Sequence, residues 1–168
     1  MDTQVLELLW SWRQPWLDRG FAALTWLGSI LVLLPLALLL AVRTKGTARW
    51  FPVAALAGGA LLAHAGKLLF ALPRPDLFPP LVAMPSDGSF PSAHTLQVTA
   101  LVAGWLLRPG AAPPGGAAIA SGILLVLAVG VSRLYLQVHW PSDVVAGAAA
   151  GLAWVLLLRR LRMWEKAA

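Results

Sequence analysis

The sequence predicts an all-α fold: a polytopic membrane bundle of five transmembrane helices, preceded by an interfacial amphipathic helix at the N-terminus. Three observations predict this class. Of the 168 residues, 59% are hydrophobic and only 12% are charged. The mean hydropathy is +0.75, and a soluble domain of this length cannot bury so much apolar surface. Five apolar stretches also approach the roughly 20 residues that cross a bilayer as a helix.

The composition bounds the chain and excludes several other classes. There is no cysteine, so a disulfide scaffold and thiol redox chemistry are excluded. The 13 Lys and Arg residues exceed the 7 Asp and Glu residues, for a net charge of +6. No basic run with interleaved aromatic residues accompanies this charge, so we expect no nucleic acid partner. Residues 1–168 are interpreted as a single domain, because the length allows only one. We expect no cleaved signal peptide, because Asp2 and Glu7 precede every basic residue.

Residues 1–20 are predicted to form the interfacial helix. Val5, Trp12 and Trp16 recur at helical spacing on one stripe, and polar residues of the segment lie on another. This pattern is typical of a helix that lies in the plane of the membrane interface. Pro15 is expected to kink or restart the helix, so the segment forms one or two pieces.

The five apolar stretches that follow are the predicted membrane spans. Their approximate limits are Phe21–Val42, Phe51–Leu72, Ser92–Leu107, Ala117–Tyr135 and Val144–Leu158. One connection is long, Pro73–Pro91, and its prolines and glycine prevent a continuous helix. Long loops in small domains are usually functional. Gly147 and Gly151 are expected to let the last span pack closely on a neighbour.

The basic residues predict the orientation of the spans, because cytoplasmic loops are enriched in Lys and Arg. Eight of them flank the first loop, the third loop and the C-terminal tail: Arg43, Lys45, Arg49, Arg108, Arg159, Arg160, Arg162 and Lys166. We therefore expect a multi-pass membrane protein with a cytoplasmic C-terminus. The N-terminal helix, the Pro73–Pro91 loop and the Arg133–Asp143 turn then share the periplasmic or extracellular face.

Three further cations, Lys67, Arg74 and Arg133, lie in or beside the spans near that face. Lys67 and Arg74 are seven residues apart, so a helix that ends near Leu72 would project both toward one site. Ionisable groups in so apolar a chain are costly and generally functional. Three converging cations suit a multiply charged anion, and phosphate offers the oxygens that guanidinium and ammonium groups bind.

Two histidines complete the candidate site. Ser92 is the expected N-cap of the third span, where free N–H groups and the helix dipole favour an anion, and His94 follows in the first turn. Pro141 is expected to start the last helix, which places Asp143 near His139. A carboxylate fixes the tautomer of a histidine and leaves its other ring nitrogen free to attack. His139 is therefore the predicted nucleophile and His94 the predicted acid.

A metal site is the alternative interpretation of His94, His139 and Asp143, because two histidines and a carboxylate can hold zinc. The cations nearby would repel a dication, and no second carboxylate offsets them. We therefore expect neither a metal nor another cofactor. His64, three residues before Lys67, is expected to hydrogen-bond a neighbouring helix, with contact to the site as the alternative.

Three segments resemble the ordered motifs of the type 2 phosphatidic acid phosphatases, which share a fold with vanadium haloperoxidases. These segments are KLLFALPRP (67–75), PSAH (91–94) and SRLYLQVHWPSD (132–143). The resemblance implies a metal-independent membrane phosphatase with catalytic residues His139, His94 and Asp143. It assigns phosphate binding to Lys67, Arg74, Ser92, Ala93 and Arg133. Ala93 replaces the usual glycine, a mild change unless the position requires a positive φ.

The predicted function is hydrolysis of a phosphate or diphosphate from a membrane lipid through a phosphohistidine. Family members of this size look like enzymes of the bacterial inner membrane, and the resemblance therefore implies that location. It makes undecaprenyl diphosphate the first choice of substrate, with phosphatidylglycerol phosphate, phosphatidic acid and lipid A phosphates as the alternatives. The expected partners are this lipid phosphate and the bilayer, and the sequence specifies no oligomeric state. A non-catalytic lipid-phosphate carrier or flippase-like protein is the hypothesis from another class. A haloperoxidase-like vanadate enzyme is a third, less favoured because such an enzyme has little use for a membrane bundle.

Overall fold

In the structure, a computed structural model that describes residues 2–161, the chain is helical and no strand is present in that range. The all-α prediction is thereby confirmed. Two short 3-10 turns, Thr25–Gly28 and Thr47–Trp50, accompany the α-helices. The α-helices are α1 (Asp2–Ser11), α2 (Pro15–Leu24), α3 (Ile30–Arg43), α4 (Phe51–Phe70), α5 (Ala93–Leu106), α6 (Gly116–Tyr135) and α7 (Pro141–Arg160). The basic residues Arg162 and Lys166 lie outside the described residues.

Four of the predicted spans correspond to single helices, α4 to α7, with limits that differ by a few residues. Three segments are long and apolar enough to cross a membrane: Ala48–Phe70, Gly116–Tyr135 and Pro141–Arg160. The helix α5 has 14 residues, fewer than the about 20 that a straight span needs. The described residues therefore contain three clear candidate spans.

The first predicted span, Phe21–Val42, is wrong as a continuous helix, because the chain breaks at Ser29. Ser29 is extended, with φ −75° and ψ 140°, and its hydroxyl accepts a hydrogen bond from the Leu31 amide. That cap starts α3 afresh, and the segment Pro15–Gly28 lies at 47° to α3. Kinks commonly occur at Gly/Ser pairs, and Gly28 precedes Ser29 here. If this bent pair counts as one span, the candidates number four in the described part.

The N-terminal segment forms two helices with a break before Pro15, as expected. The helix α1 packs on α6 and α7, and its Leu6 is completely buried. Trp10 stacks on Phe78 of the long loop with ring centroids 4.5 Å apart. Trp12 remains 58% exposed. The segment thus combines an apolar outer stripe with a face that is packed against the bundle.

The central helix of the bundle is α5, which contacts α3, α4, α6 and α7. Its contact with α7 is close because glycine faces it there. A Cβ on Gly147 would lie 2.7 Å from the Ser92 carbonyl oxygen, and one on Gly151 would lie 2.6 Å from that of Leu96. The predicted close packing of the last span is confirmed. This contact holds the first turn of α7 beside the first turn of α5.

Candidate active site

His139 and Asp143 form a buried pair at the start of α7. Pro141 begins this helix, which places Asp143 in its first turn as predicted. The Nδ1 atom of His139 lies 3.3 Å from Oδ2 of Asp143, and each side chain is 2% exposed. An ionised carboxylate can only accept hydrogen bonds, so Nδ1 carries the proton. In the neutral imidazole the lone pair is therefore on Nε2.

Two more donors hold the Asp143 carboxylate in place. The Trp140 amide donates to Oδ2 over 2.9 Å, and the Ser89 hydroxyl donates to the same oxygen. Ser89 is fully buried and comes from the long loop. The sequence did not single it out, because one serine in a polar loop carries no pattern. With these bonds, Asp143 keeps the His139 ring in one orientation.

His139 is uncharged at neutral pH. Burial is the main cause that lowers the pKa of His139 from 6.5 to about 4. The hydrogen bond to Asp143 opposes this shift, and the positive charges of Arg133 and Arg74 add to it. The nucleophilic form of the imidazole is therefore the ordinary form at pH 7.

Arg74 reaches His139 from the long loop and not from α4. The helix ends at Phe70, and Ala71 follows with a left-handed φ of 46°. The expectation that a helix ending near Leu72 would project Arg74 toward the site is wrong, because the turn at Ala71 redirects the chain before Arg74. Arg74 Nη1 donates to the Val138 carbonyl over 2.7 Å and lies 3.3 Å from Nε2 of His139.

Lys67 and Arg74 nevertheless meet, as predicted, and both contact Asp87. Lys67 lies in the last turn of α4 with its side chain 7% exposed, and its Nζ donates to the Gly88 carbonyl over 2.6 Å. Asp87 Oδ1 is 3.3 Å from Lys67 Nζ and 2.6 Å from Arg74 Nη2. Asp87 was not predicted as a site residue. The one sequence feature that could have indicated it is the position of this acidic residue, four residues before the PSAH motif.

Arg133 is the third cation, in the last turn of α6 and 4% exposed. Its Nη1 donates to the Thr25 hydroxyl over 2.6 Å. Its Nε is buried and has no hydrogen-bond partner within the described part of the chain. Buried donors normally have acceptors, so this N–H is available to an acceptor on a bound molecule. Thr25 was not predicted, because it lies in the turn where the first span breaks.

The N-terminus of α5 adds backbone donors. Ser92 is the N-cap residue, as predicted, but its side chain caps no helix amide. Its Oγ lies 3.1 Å from Oγ1 of Thr95, and its amide donates to the Asp143 carbonyl over 3.1 Å. Ala93 is not among the described residues with positive φ. Alanine therefore causes no backbone strain at the position where glycine is usual, and its N–H remains.

His94 lies in the first turn of α5 and is partly buried. The charges of Arg133 and Lys67 act on its ring. Residues 2–161 provide no hydrogen bond to this ring, which leaves both nitrogens available for proton transfer. Gly28, at the break in the first span, packs closely against His94, because a Cβ on Gly28 would lie 2.9 Å from the His94 Cβ.

His64 lies outside this group. It is exposed on the outer face of α4 and makes no hydrogen bond with the rest of residues 2–161. Both the predicted bond to a neighbouring helix and the contact with the site are therefore wrong. The inward face of α4 carries Ala55, Gly59, Ala63 and Lys67 at intervals of four, and His64 is about 100° round the helix from Ala63.

The assembled groups are suited to phosphoryl transfer. A neutral imidazole nitrogen lies beside a guanidinium, a second histidine faces the same cations, and a helix N-terminus supplies further donors. Within residues 2–161, no three His, Asp or Glu side chains are placed to hold a metal ion together.

A family model and curated relatives match this chain. The model is that of the PAP2 superfamily, which matches residues 48–167. Phosphatidylglycerophosphatase B of Bacillus subtilis is 33% identical over 162 residues, an alignment that covers 88% of this chain and 76% of that protein. Decaprenylphosphoryl-5-phosphoribose phosphatase of Mycolicibacterium smegmatis is 41% identical over 105 residues, covering 58% of this chain and 52% of that protein.

Two solved structures are similar over nearly the whole chain. A transmembrane PAP2 type phosphatidylglycerolphosphate phosphatase from Bacillus subtilis has a TM-score of 0.83 at 25% identity, covering 95% of this chain and 83% of that chain. LpxE from Aquifex aeolicus has a TM-score of 0.81 at 26% identity, covering 95% and 94%. The helices that carry the three motifs are therefore arranged as in these proteins.

Proposed function

The chain belongs to the PAP2 superfamily, and on that premise we propose that it is a membrane lipid phosphatase that works through a phosphohistidine on His139. Phosphatases of this superfamily are hydrolases of phosphate esters. The observation that carries the proposal is the orientation of His139. Its Nδ1 is bonded to Asp143 and its Nε2 lies 3.3 Å from Arg74, so the Nε2 lone pair faces a proposed phosphate-binding cation.

The first step forms the phosphoenzyme. The Nε2 lone pair of His139 attacks phosphorus, and the bond from phosphorus to the leaving oxygen breaks. His94, protonated on its ring, gives its proton to that oxygen. Asp143 stabilises the positive charge that develops on His139 through its bond to Nδ1.

The second step releases phosphate. His94, now neutral, takes a proton from water, and the water oxygen attacks phosphorus. The bond between phosphorus and His139 Nε2 breaks, which returns His139 to its neutral form. One water is consumed, and the products are inorganic phosphate and the lipid alcohol, or a lipid monophosphate from a diphosphate.

The cations and the helix N-terminus neutralise the oxygens of the transferred group. Arg133 supports this role most directly because its Nε is buried without a partner among the described residues. Lys67, Arg74, the Ser92 hydroxyl and the Ala93 amide complete the proposed phosphate site, since the Ser92 amide is bonded to the Asp143 carbonyl. Fixed donors of this kind stabilise the charge that develops in the transition state.

We propose a lipid phosphate as the substrate class, with undecaprenyl diphosphate first. The relatives named above act, by their names, on phosphatidylglycerophosphate and on decaprenylphosphoryl-5-phosphoribose, and another is an undecaprenyl-diphosphatase. Phosphatidylglycerol phosphate, phosphatidic acid and lipid A phosphates are the alternative substrates. Each has its phosphate at the depth of the headgroups, which suits a site formed at the ends of α5, α6 and α7.

The proposed membrane arrangement has five spans with the site on the periplasmic or extracellular face. The bent pair Pro15–Gly28 and Ile30–Arg43 is the first span, and α5 completes the five despite its length, because the surrounding helices bury it. The helix α1 lies at the interface with Trp12 and Trp16 exposed.

The test is phosphate release from a panel of lipid phosphates by the purified full chain. We expect His139→Ala to abolish release, and His64→Ala, which removes an exposed histidine outside the site, to retain it. A rapid acid or base quench with labelled substrate checks the intermediate, since phosphohistidine is labile to acid and stable to base. Full release by His139→Ala contradicts the proposal. Lipid binding without turnover by the unmodified chain would favour the carrier instead.

Metal independence has its own test. Because the proposed site uses Lys67, Arg74 and Arg133 in place of a metal to neutralise phosphate, activity should persist in excess chelator. Loss of activity in chelator that is restored by zinc or magnesium would contradict this part of the proposal.

A further inference from the structure

Asp87 lies between two cations of the proposed phosphate site. Its Oδ1 is 2.6 Å from Arg74 Nη2 and 3.3 Å from Lys67 Nζ. The two cations are 8% and 7% exposed, whereas the Asp87 side chain is 52% exposed. A single carboxylate oxygen therefore occupies the point where the two buried cations converge, and it does so from the solvent side.

The hydrogen bonds of Arg74 leave no spare donor. A guanidinium has five N–H donors. The Nε donates to the Asp87 carbonyl over 3.1 Å, and Nη1 faces the Val138 carbonyl at 2.7 Å and His139 Nε2 at 3.3 Å. The Nη2 faces Asp87 Oδ1 at 2.6 Å and the Gly88 carbonyl at 3.3 Å. When His139 attacks phosphorus, its Nε2 no longer accepts from Nη1, which can then bind the phosphate. A phosphate oxygen can bind Nη2 only if Asp87 Oδ1 or the Gly88 carbonyl leaves.

Of the two acceptors of Nη2, the Asp87 carboxylate is better able to leave than the Gly88 carbonyl. The carbonyls of Asp87, Gly88 and Val138 belong to the backbone, and moving them would shift the loop or the turn that carries His139. The Asp87 side chain needs only a rotation about its own bonds to reach solvent. The same movement leaves space for a phosphate oxygen at Lys67 Nζ, because Asp87 Oδ1 is one of its two partners and the Gly88 carbonyl is the other.

The ionised form of the Asp87 side chain is the one that competes with phosphate. Burial raises the pKa of this carboxyl, but the hydrogen bond from Arg74 and the positive charge of Lys67 outweigh burial, and the pKa lies below its usual 3.8. The carboxylate is therefore ionised at neutral pH. Arg133 differs from the other two cations, since it has an unpaired Nε and no carboxylate partner in the described residues.

We propose that Asp87 is a competing carboxylate that occupies the position of a phosphate oxygen between Lys67 and Arg74 and rotates toward solvent when phosphate binds. The inference rests on the proposed function, because it takes these cations as phosphate ligands. Asp87 then lowers the affinity of the site for phosphate. Its own attraction to the cations opposes that of the phosphate, which weakens binding of the substrate and favours release of the product phosphate.

The test compares inorganic phosphate binding to the purified full chain and to Asp87→Asn, by calorimetry and as competitive inhibition of hydrolysis. The matched control is Asp76→Asn, which removes one carboxylate from an exposed position of the same loop. We expect Asp87→Asn to lower the Kd and Ki of phosphate by about fivefold, the upper range for an exposed ion pair, and to lower KM. Asp76→Asn should leave both constants within twofold.

Two results would overturn the inference. An unchanged or raised Kd for phosphate in Asp87→Asn would show that Asp87 positions the cations and does not compete. An equal gain in Asp76→Asn would show that only the net charge of the loop matters. If Asp87→Asn does not fold, Asp87→Ser supplies the same comparison, since it also removes the charge and keeps a small polar group.

The outcome separates this inference from the proposed function. If the unmodified chain hydrolyses no lipid phosphate but Asp87→Asn still binds inorganic phosphate more tightly, the phosphatase proposal fails and the competing carboxylate stands. If hydrolysis occurs and Asp87→Asn shows no tighter binding, the competing carboxylate fails alone.

Discussion

At the scale of single residues, the protonation state of His139 gives a direct prediction. Its pKa of about 4 means that the ring stays neutral from pH 7 to pH 5 and gains a proton only near pH 4. The folded chain then binds fewer protons than the unfolded chain between about pH 4 and pH 6.5. The contribution of His139 to the free energy of unfolding is therefore fully present above its unfolded pKa of 6.5. It is lost as the pH falls through the folded pKa of about 4.

The measurement is a titration of the imidazole nitrogens by NMR in the full chain. The protein has three histidines, so the variants His64→Gln and His94→Gln assign the signals by elimination. A His139 signal that titrates near its ordinary value of 6.5 would contradict the prediction. It would mean that the ring is solvated and that burial does not keep the proposed nucleophile neutral.

Thr25 provides the second prediction at this scale. Its hydroxyl accepts from Arg133 over 2.6 Å, and Arg133 already has one buried donor without a partner in the described residues. Thr25→Val keeps the shape and removes the acceptor. Hydrogen bonds to charged groups contribute about 1.5–3 kcal/mol, so we expect kcat/KM to fall by at least about tenfold.

Thr25→Ser is the matched control, since it retains the hydroxyl and should restore most of the activity. Weaker binding of inorganic phosphate in Thr25→Val would show that Thr25 acts through Arg133 and not only through folding. Wild-type kcat/KM in Thr25→Val would contradict the positioning role.

At the scale of elements, the contact between α5 and α7 aligns the two halves of the site. A Cβ on Gly147 would lie 2.7 Å from the carbonyl oxygen of Ser92, so Gly147→Ala must push the first turn of α5 away from α7. Overpacking of this kind costs about 1–3 kcal/mol. We expect a lower melting temperature and a lower kcat, because His94 and Asp143 lie on opposite sides of this contact.

The control for Gly147→Ala is the same substitution at Gly116, where no atom within 4 Å would meet the new Cβ. Gly116→Ala should retain the melting temperature and kcat of the unmodified chain in detergent. Equal losses in the two variants would contradict the packing argument, because they would indicate a general cost of replacing glycine.

The elements also show which features a sequence can predict. The hydrophobic runs from Phe51 onward predict α4 to α7 well, because continuous apolar stretches and flanking Pro or Gly residues fix helix type and limits. Hydropathy did not reveal the break at Ser29, since apolar residues continue on both sides. The position of Arg74 was predicted for the wrong reason, because the left-handed turn at Ala71 depends on the returning loop and not on local pattern.

The candidate site divides in the same way. The histidines, Asp143 and the cations stand out from the sequence because charged and titratable groups are rare in apolar runs. Thr25, Ser89 and Asp87 do not stand out, although they hold Arg133, Asp143 and Arg74 respectively. Their roles depend on contacts between segments that are distant in sequence, which periodicity and spacing do not encode.

At the scale of the whole molecule, the segments that carry the proposed site lie at one end of the helical bundle. The loop between α4 and α5 and the turn between α6 and α7 meet there, and α1 packs beside them. Basic residues collect at the other ends of the helices, where Arg43, Arg49, Arg108 and Arg159 lie. This asymmetry predicts a site outside the cytoplasm.

Because the natural chain contains no cysteine, single cysteines can test this orientation without a background. Ala83 is exposed in the loop that follows α4, and Ala112 is exposed in the connection between α5 and α6. We expect a membrane-impermeant maleimide to label Ala83→Cys in intact spheroplasts and to label Ala112→Cys only after the membrane is permeabilised. The two variants are matched controls for each other, since each should be labelled in detergent. The opposite pattern would place the site in the cytoplasm, and labelling of both variants before permeabilisation would mean that α5 does not span the membrane.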